Sequence, residues 1–128
     1  MNNSSKIKGD SGEAFAADYF LRKGFTVRER GYHSRYGEID IILEDNEYII
    51  FVEVKTRKSR TISQGIEAVD KNKRIKIIKT ALIYLINNPS KKQPRFDVAE
   101  ITVNNNGTFK NINHFENAFD AEEYNAIF

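Results

Sequence analysis

Asp40, Glu53 and Lys55 are the residues whose types and spacing are suited to catalysis. Asp40 lies in the isoleucine-rich run GEIDIIL and Glu53 in the still more apolar run YIIFVEVK, with Lys55 two residues further on. An ionised carboxylate in apolar surroundings is costly to desolvate, so each acid needs compensation. Two carboxylates facing each other at about 4 Å would repel by roughly 4 kcal/mol at an effective dielectric of about 20. A shared divalent cation removes that conflict. Magnesium takes oxygen ligands, keeps several waters, and is held by one or two carboxylates together with substrate phosphate. The carbonyl of Val54 is a further candidate ligand. The Lys55 ammonium could stabilise charge developing on a phosphate, or orient an attacking water. The competing arrangement is a pair of cross-strand ion pairs, Glu53–Lys55 and Asp40–Arg57, on a solvated sheet face. That is the commoner meaning of an isolated E-x-K. Here the apolar flanks, the basic segment that follows and the order of elements favour chemistry.

The elements that must position these residues are legible from periodicity. Asp10 with Glu13 reads as a capping box opening a helix that Gly24 ends, with Ala14, Ala17 and Leu21 on one side and Phe20 beside them. Phe25 to Arg30 alternates as a strand does. Ile39, Ile41 and Leu43 then point one way, and Glu38, Asp40 and Ile42 the other. After a turn at Glu44 to Glu47, Ile50, Val52 and Val54 share one face of a strand, and Ile49, Phe51, Glu53 and Lys55 share the other. Ile75, Ile78, Leu82 and Leu85 recur at helical steps, ending before Asn87-Asn88-Pro89. Phe96, Val98, Ile101 and Val103 indicate a strand with an irregularity near Ala99. Asn104 to Gly107 turns the chain into a short strand from Phe109. Glu116 to Phe128 reads as a small helix packing Phe119, Tyr124 and Phe128. The order α-β-β-β-α-β predicts one α/β domain over residues 9–128 with a C-terminal extension, preceded by a flexible tail over residues 1–8.

The 128 residues contain no cysteine, which excludes disulfides and thiolate zinc sites. The polar N-terminal stretch lacks the apolar run of a signal peptide, and the longest apolar segments are too short and too charged to span a bilayer. A cytoplasmic protein without a membrane partner is expected. Charge is unevenly distributed. Residues 1–54 carry seven Lys/Arg and ten acids, residues 55–95 twelve Lys/Arg and two acids, and the remainder one lysine and six acids. Such a basic middle is either a solvated surface or an anion-binding face beside a cation-binding site. Arg57, Lys58 and Arg60 follow the active strand, and Lys71, Lys73, Arg74, Lys76 and Lys79 lie on or before the second helix. All are candidates for phosphate contacts, which add salt dependence and no sequence reading. Tyr19, Tyr32 and Tyr36 could stack on exposed bases, although core or edge packing is the commoner role. His33 and His114 read as surface or capping groups, and Asp97 as a partner for Arg95 or a loop.

Several segments together resemble a known family. They are Gly12-Glu13 with Ala16, Tyr19 and Leu21; Tyr36-Gly37-Glu38-Ile39-Asp40; Phe51-Val52-Glu53-Val54-Lys55-Thr56-Arg57; Ala68-Val69 with Lys73; and Arg95-Phe96-Asp97-Val98. The Asp…Glu-x-Lys pattern resembles the PD-(D/E)xK, restriction-endonuclease-like superfamily. More narrowly, the segments resemble the YraN-like family of bacterial proteins, similar in fold to archaeal Holliday-junction resolvases. The resemblance implies a central mixed sheet flanked by helices and a Mg2+- or Mn2+-dependent endonuclease acting on DNA, with branched or partly single-stranded substrates. The alternative within that fold is a nucleic-acid-binding adaptor without turnover. A third reading, a protein-interaction module using the aromatic C-terminal tail, would show no salt-sensitive DNA affinity. By the same resemblance Asp40 and Glu53 are metal-binding acids, Lys55 is the catalytic lysine and Glu13 is a first-helix acid facing the metal site. Glu38 and Gln64 would support the site from outside it. Ile39 stands in place of the proline of the superfamily name, and Gly31 and His33 replace the more usual Asn and Arg. Resolvase-like relatives imply a homodimer.

Overall fold

The computed structural model describes residues 4–58 and 69–122. Its elements run α1 (Ser4–Arg22), β1 (Thr26–Ser34), β2 (Gly37–Glu44), β3 (Tyr48–Lys58), α2 (Lys71–Asn87), β4 (Gln93–Val103) and β5 (Phe109–Phe119). The strands form one mixed sheet in the order β1-β2-β3-β4-β5. Only β3 and β4 are parallel, because α2 carries the chain back across the sheet between them; the other neighbours are antiparallel. This is the expected α-β-β-β-α-β order, and the short strand expected from Phe109 is β5, eleven residues long. The segment from Glu116, expected to be helical, instead completes β5 as far as Phe119. Tyr124 and Phe128 lie outside the described residues. No helix among the described residues is long and apolar enough to cross a membrane.

Each helix covers one face of the sheet. On the α1 side Ala16, Ala17 and Phe20 pack with Ile41, Leu43, Ile50, Val52, Ala99, Ile101 and Val103. On the α2 side Ile77, Ile78, Ala81 and Tyr84 pack with Ile39, Ile42, Ile49, Phe51, Phe96 and Val98. A middle strand covered on both faces reads as a continuous apolar run, which is why YIIFV shows no alternation. The buried stripe of α2 is therefore Ile77-Ile78-Ala81-Tyr84, and Leu82, expected on the apolar side, is exposed. In β4 the change from Phe96 and Val98 to Ile101 and Val103 is a change of face, with no break at Ala99. The irregularity lies across the ladder in β5, where the register jumps from Phe119 to Phe115 opposite Phe96 and Val98.

Local signals fix the helix ends. The chain leaves α1 through a Schellman motif: Phe25 N–H donates to Phe20 O (3.0 Å) and Gly24 N–H to Leu21 O (3.1 Å). Gly24 adopts φ +97°, the left-handed conformation that glycine enters without strain. At the other end α1 begins at Ser4, inside the stretch expected as a tail. Asp10 is thus an interior helix residue, and the capping-box reading is incorrect. Asp70 caps α2, its side chain accepting from Lys73 N–H at 2.8 Å.

Candidate metal centre and flanking basic surface

The site forms where two paired strands part. The β2–β3 ladder runs from Glu44↔Ile49 to Ile41↔Val52 and ends there, although β2 extends back to Gly37 and β3 forward to Lys58. At the parting, Asp40 Oδ2 replaces a backbone carbonyl as acceptor, taking the Val54 N–H at 2.8 Å. The alternation of β2 breaks at the same place. Ile39 belongs to the α2-side core, and Ile41 and Leu43 to the α1-side core, so the three do not share one face as their spacing predicts.

Around this opening Glu13 of α1 and Glu38 and Asp40 of β2 bring carboxylate oxygens within 4.8 Å of one another. Glu53 of β3 approaches the same Asp40 side chain from the other strand. Burial, the charge of Glu53 beside it and the more distant charge of Glu13 push the Asp40 carboxyl up to about 8, against the stabilising Val54 N–H. Glu53 is nearly buried and has two ammonium neighbours, Lys55 Nζ at 3.4 Å and Lys73 Nζ at 3.3 Å. Asp40 and Glu13 thus lie in one group of oxygens, while Glu53 meets Asp40 from outside that group and brings Lys55 with it. Glu38, expected outside the site, belongs to the acidic cluster itself. Its position two residues before Asp40 on one strand was the available signal.

The donor set suits a hard divalent cation. All the side-chain donors are carboxylate oxygens and no nitrogen or sulfur ligand is needed. His33 approaches the cluster from outside, with Nε2 3.6 Å from Glu38 Oε1.

The proposed phosphate-contacting residues divide into two kinds. Lys58 and Lys71 are exposed at the end of β3 and the start of α2. Lys73 turns instead to Glu53. Arg57 donates from Nε to Glu100 Oε2 at 2.7 Å, and Glu100 is buried, so this arginine closes a β3–β4 ion pair and does not reach Asp40. Arg74 donates to Val69 O at 2.8 Å and lies over the Phe119 ring. Arg60 and Gln64 lie outside the described residues. Asp97 accepts from Arg95 Nε and Nη2 (2.9 and 2.8 Å) and from Asn117 N–H (2.9 Å), as its reading as an arginine partner anticipates. His114 Nε2 lies 2.7 Å from the same carboxylate and its ring packs edge-on to Phe20, so it is an interior partner and no surface group.

A five-stranded mixed sheet with a helix on each face and a carboxylate cluster at the β2–β3 parting defines an α/β protein consistent with a nuclease-like core. Residues 12–101 match the model of the uncharacterised protein family UPF0102, and the chain belongs to that family, the YraN family of the sequence motifs. It is 46% identical to the UPF0102 protein of Persephonella marina over 119 residues, covering 92% of this chain and 97% of the relative. It is 45% identical to that of Clostridioides difficile (93% of this chain, 100% of the relative). The Caldanaerobacter subterraneus relative is 41% identical over 91% of this chain and 97% of its own length.

Proposed function

We propose that this protein is a divalent-metal-dependent endonuclease that hydrolyses DNA phosphodiesters. The observation that carries the reading is the meeting of Asp40 with Glu13, Glu38 and Glu53 at the end of a strand ladder, with Lys55 beside Glu53. Asp40, Glu38 and Glu13 would hold Mg2+ or Mn2+, with Glu53 and the Val54 carbonyl as the β3 contribution. The cation supplies Lewis-acid polarisation of the phosphate and a lower pKa for attacking water. The chain's own residues do the rest. Val54 N–H fixes the orientation of Asp40, and the fit of Glu53 between two lysines sets its direction. Lys55, one-third exposed, presents its ammonium to the negative charge that develops on a phosphate. Lys58 and Lys71 extend positive charge outward for the neighbouring phosphates.

The test is a panel of linear, single-stranded, flap and four-way-junction DNA incubated with magnesium or manganese. Cleavage should fall at least about a hundredfold in Glu53→Ala and in Lys55→Ala, the scale of losing a group that acts on the transition state. Cleavage that survives both substitutions unchanged would sink the proposed chemistry. DNA binding without cleavage under either metal would instead make the protein an adaptor that keeps the nuclease fold.

A further inference from the structure

Beside the acidic cluster lies a groove of about 500 Å³ lined by Arg35, Tyr36, Asn72, Ile75, Lys76 and Lys79, between the β1–β2 turn and the open side of α2. That volume is within the roughly 300–1,000 Å³ of small-ligand sites. The grooves around Glu44 and around Arg95 each contain an acid, Glu44 in one case and Glu116 in the other, whereas this one contains none. Among the described residues, Arg35, Lys76 and Lys79 have no carboxylate partner, although Arg28, Arg57, Lys73, Lys92 and Arg95 all do. The Tyr36 ring organises two of these free cations. The Arg35 guanidinium lies 5.0 Å and Lys79 Nζ 5.1 Å from its centroid, and Arg35 also donates to the Tyr36 hydroxyl at 2.9 Å.

Both walls of the groove adjoin the acidic site along the chain. Tyr36 is followed by Gly37 and then Glu38, a member of the acidic cluster. Asn72 is followed by Lys73, which reaches Glu53 at 3.3 Å. Gly37 runs close under α2, where a Cβ would meet that of Lys76 at 3.5 Å. A phosphate alone would use the three cations but leave the ring of Tyr36, the side chain of Ile75 and the amide of Asn72 unused. A nucleotide with its base free uses all of them. Bases inside a duplex are already stacked and cannot enter such a groove; an unpaired base can.

We propose that this groove seats an unpaired nucleotide of the DNA strand entering the acidic site. The base displaces one of the two cations from the Tyr36 ring and meets Ile75 with its edge at the Asn72 amide, and the adjoining phosphates lie on Arg35, Lys76 and Lys79. The proposal rests on the nuclease reading for its substrate and names that substrate's class: DNA unpaired beside the scissile phosphate, as in flaps, junction branches and single strands.

Binding is measured by fluorescence anisotropy on the full chain in EDTA, which separates it from cleavage. The probes are a single strand of about twelve nucleotides, a blunt duplex of the same length and the matching RNA. Tyr36→Ala is expected to weaken single-strand binding about tenfold and leave the duplex within about twofold, the pattern of a lost stacking platform. Tyr36→Phe keeps the ring and should bind within about twofold of the native chain. Lys76→Glu with Lys79→Glu should weaken the single strand further, and Lys110→Glu, a single charge reversal on β5, should not. Circular-dichroism melting checks that every variant is folded. The proposal is overturned if Tyr36→Ala binds the single strand as the native chain does, if it weakens duplex and single strand equally, or if RNA is preferred over DNA. Expected binding changes with no cleavage under magnesium or manganese would remove the nuclease reading and leave the groove standing. Metal-dependent cleavage with unchanged Tyr36→Ala affinity would do the reverse.

Discussion

Asp40 is the residue at which folding and the proposed metal binding compete. Its carboxyl sits near 8, far above the ordinary 3.8, because it is buried and faces Glu53 and Glu13. A native-state value above the unfolded one means the folded chain holds an extra proton between them. The resulting stabilisation is complete below about pH 4 and is lost as the pH rises through about 8. The metal-free protein should therefore melt at progressively lower temperature from about pH 5 to about pH 8.5, and Asp40→Asn should flatten that slope. A cation binds the deprotonated form, so magnesium should raise the melting temperature more at about pH 8.5 than at about pH 6. A profile that is flat in the native chain, or equally steep in Asp40→Asn, would contradict this account. Arg57 illustrates the opposite outcome of a charged residue. Its partner Glu100 is buried, so Arg57→Ala should cost about 2–3 kcal/mol in urea unfolding. The two roles of these residues differ in how readable they were. Asp40 and Glu53 announced themselves as acids in apolar runs. Arg57 looked like a free phosphate ligand because its partner lies forty-three residues further along the chain, on a strand reached only after α2.

At the scale of elements, the β4–β5 ladder is pinned by a polar network within an otherwise apolar sheet. Asp97 is fully buried, and burial alone would push its carboxyl up. Hydrogen bonds from His114 and Arg95 and from the Asn117 N–H outweigh that and hold it below the ordinary range. The extra β5 residues opposite it place Asn117 at φ +52°, which aims that N–H at the carboxylate. A depressed native value stabilises the fold above the unfolded value of 3.8, and this is lost as the pH falls through the native one. Asp97→Ala should cost about 3–5 kcal/mol at neutral pH by leaving Arg95 without its buried partner, and should flatten the acid limb of the stability profile below about pH 4. Urea unfolding across that range reads both; a loss under about 1 kcal/mol would show that the network adds little. None of this bulge was visible in the sequence, because a one-residue reading of alternation attributes any change of parity to its own strand. Periodicity did locate every strand of the first hairpin. It misassigned Ile39 and Leu82, each of which sits where the packing partner, and not the local pattern, decides which side is covered.

Across the whole molecule the sheet separates two jobs between its edges and its ends. The apolar residues of both faces make two cores, and the acids of α1, β2 and β3 gather where the sheet opens. The basic middle of the sequence is not one continuous phosphate surface, because Arg57 and Arg74 are turned to structural partners and Lys73 to Glu53. Among the described residues, charge left for a polyanion comes from Lys58 and Lys71 with the cations of the Tyr36 groove. A smaller set predicts a weaker salt response than the twelve basic residues of the segment suggest. Each neutralised phosphate adds about −0.9 to the slope of log affinity against log salt on duplex DNA and about −0.7 on a single strand. Lys71→Ala should make the duplex slope shallower by about 0.9, and Lys58→Ala should do the same, while Lys110→Ala on β5 should leave it unchanged. Arg57→Ala should alter the slope little once its loss of stability is allowed for, since the guanidinium is already held by Glu100. Affinity titrations between about 50 and 200 mM salt measure all four. If Lys58 and Lys71 leave the slope untouched while Arg57 changes it by a full phosphate, the division drawn here between structural and ligand-facing cations is wrong.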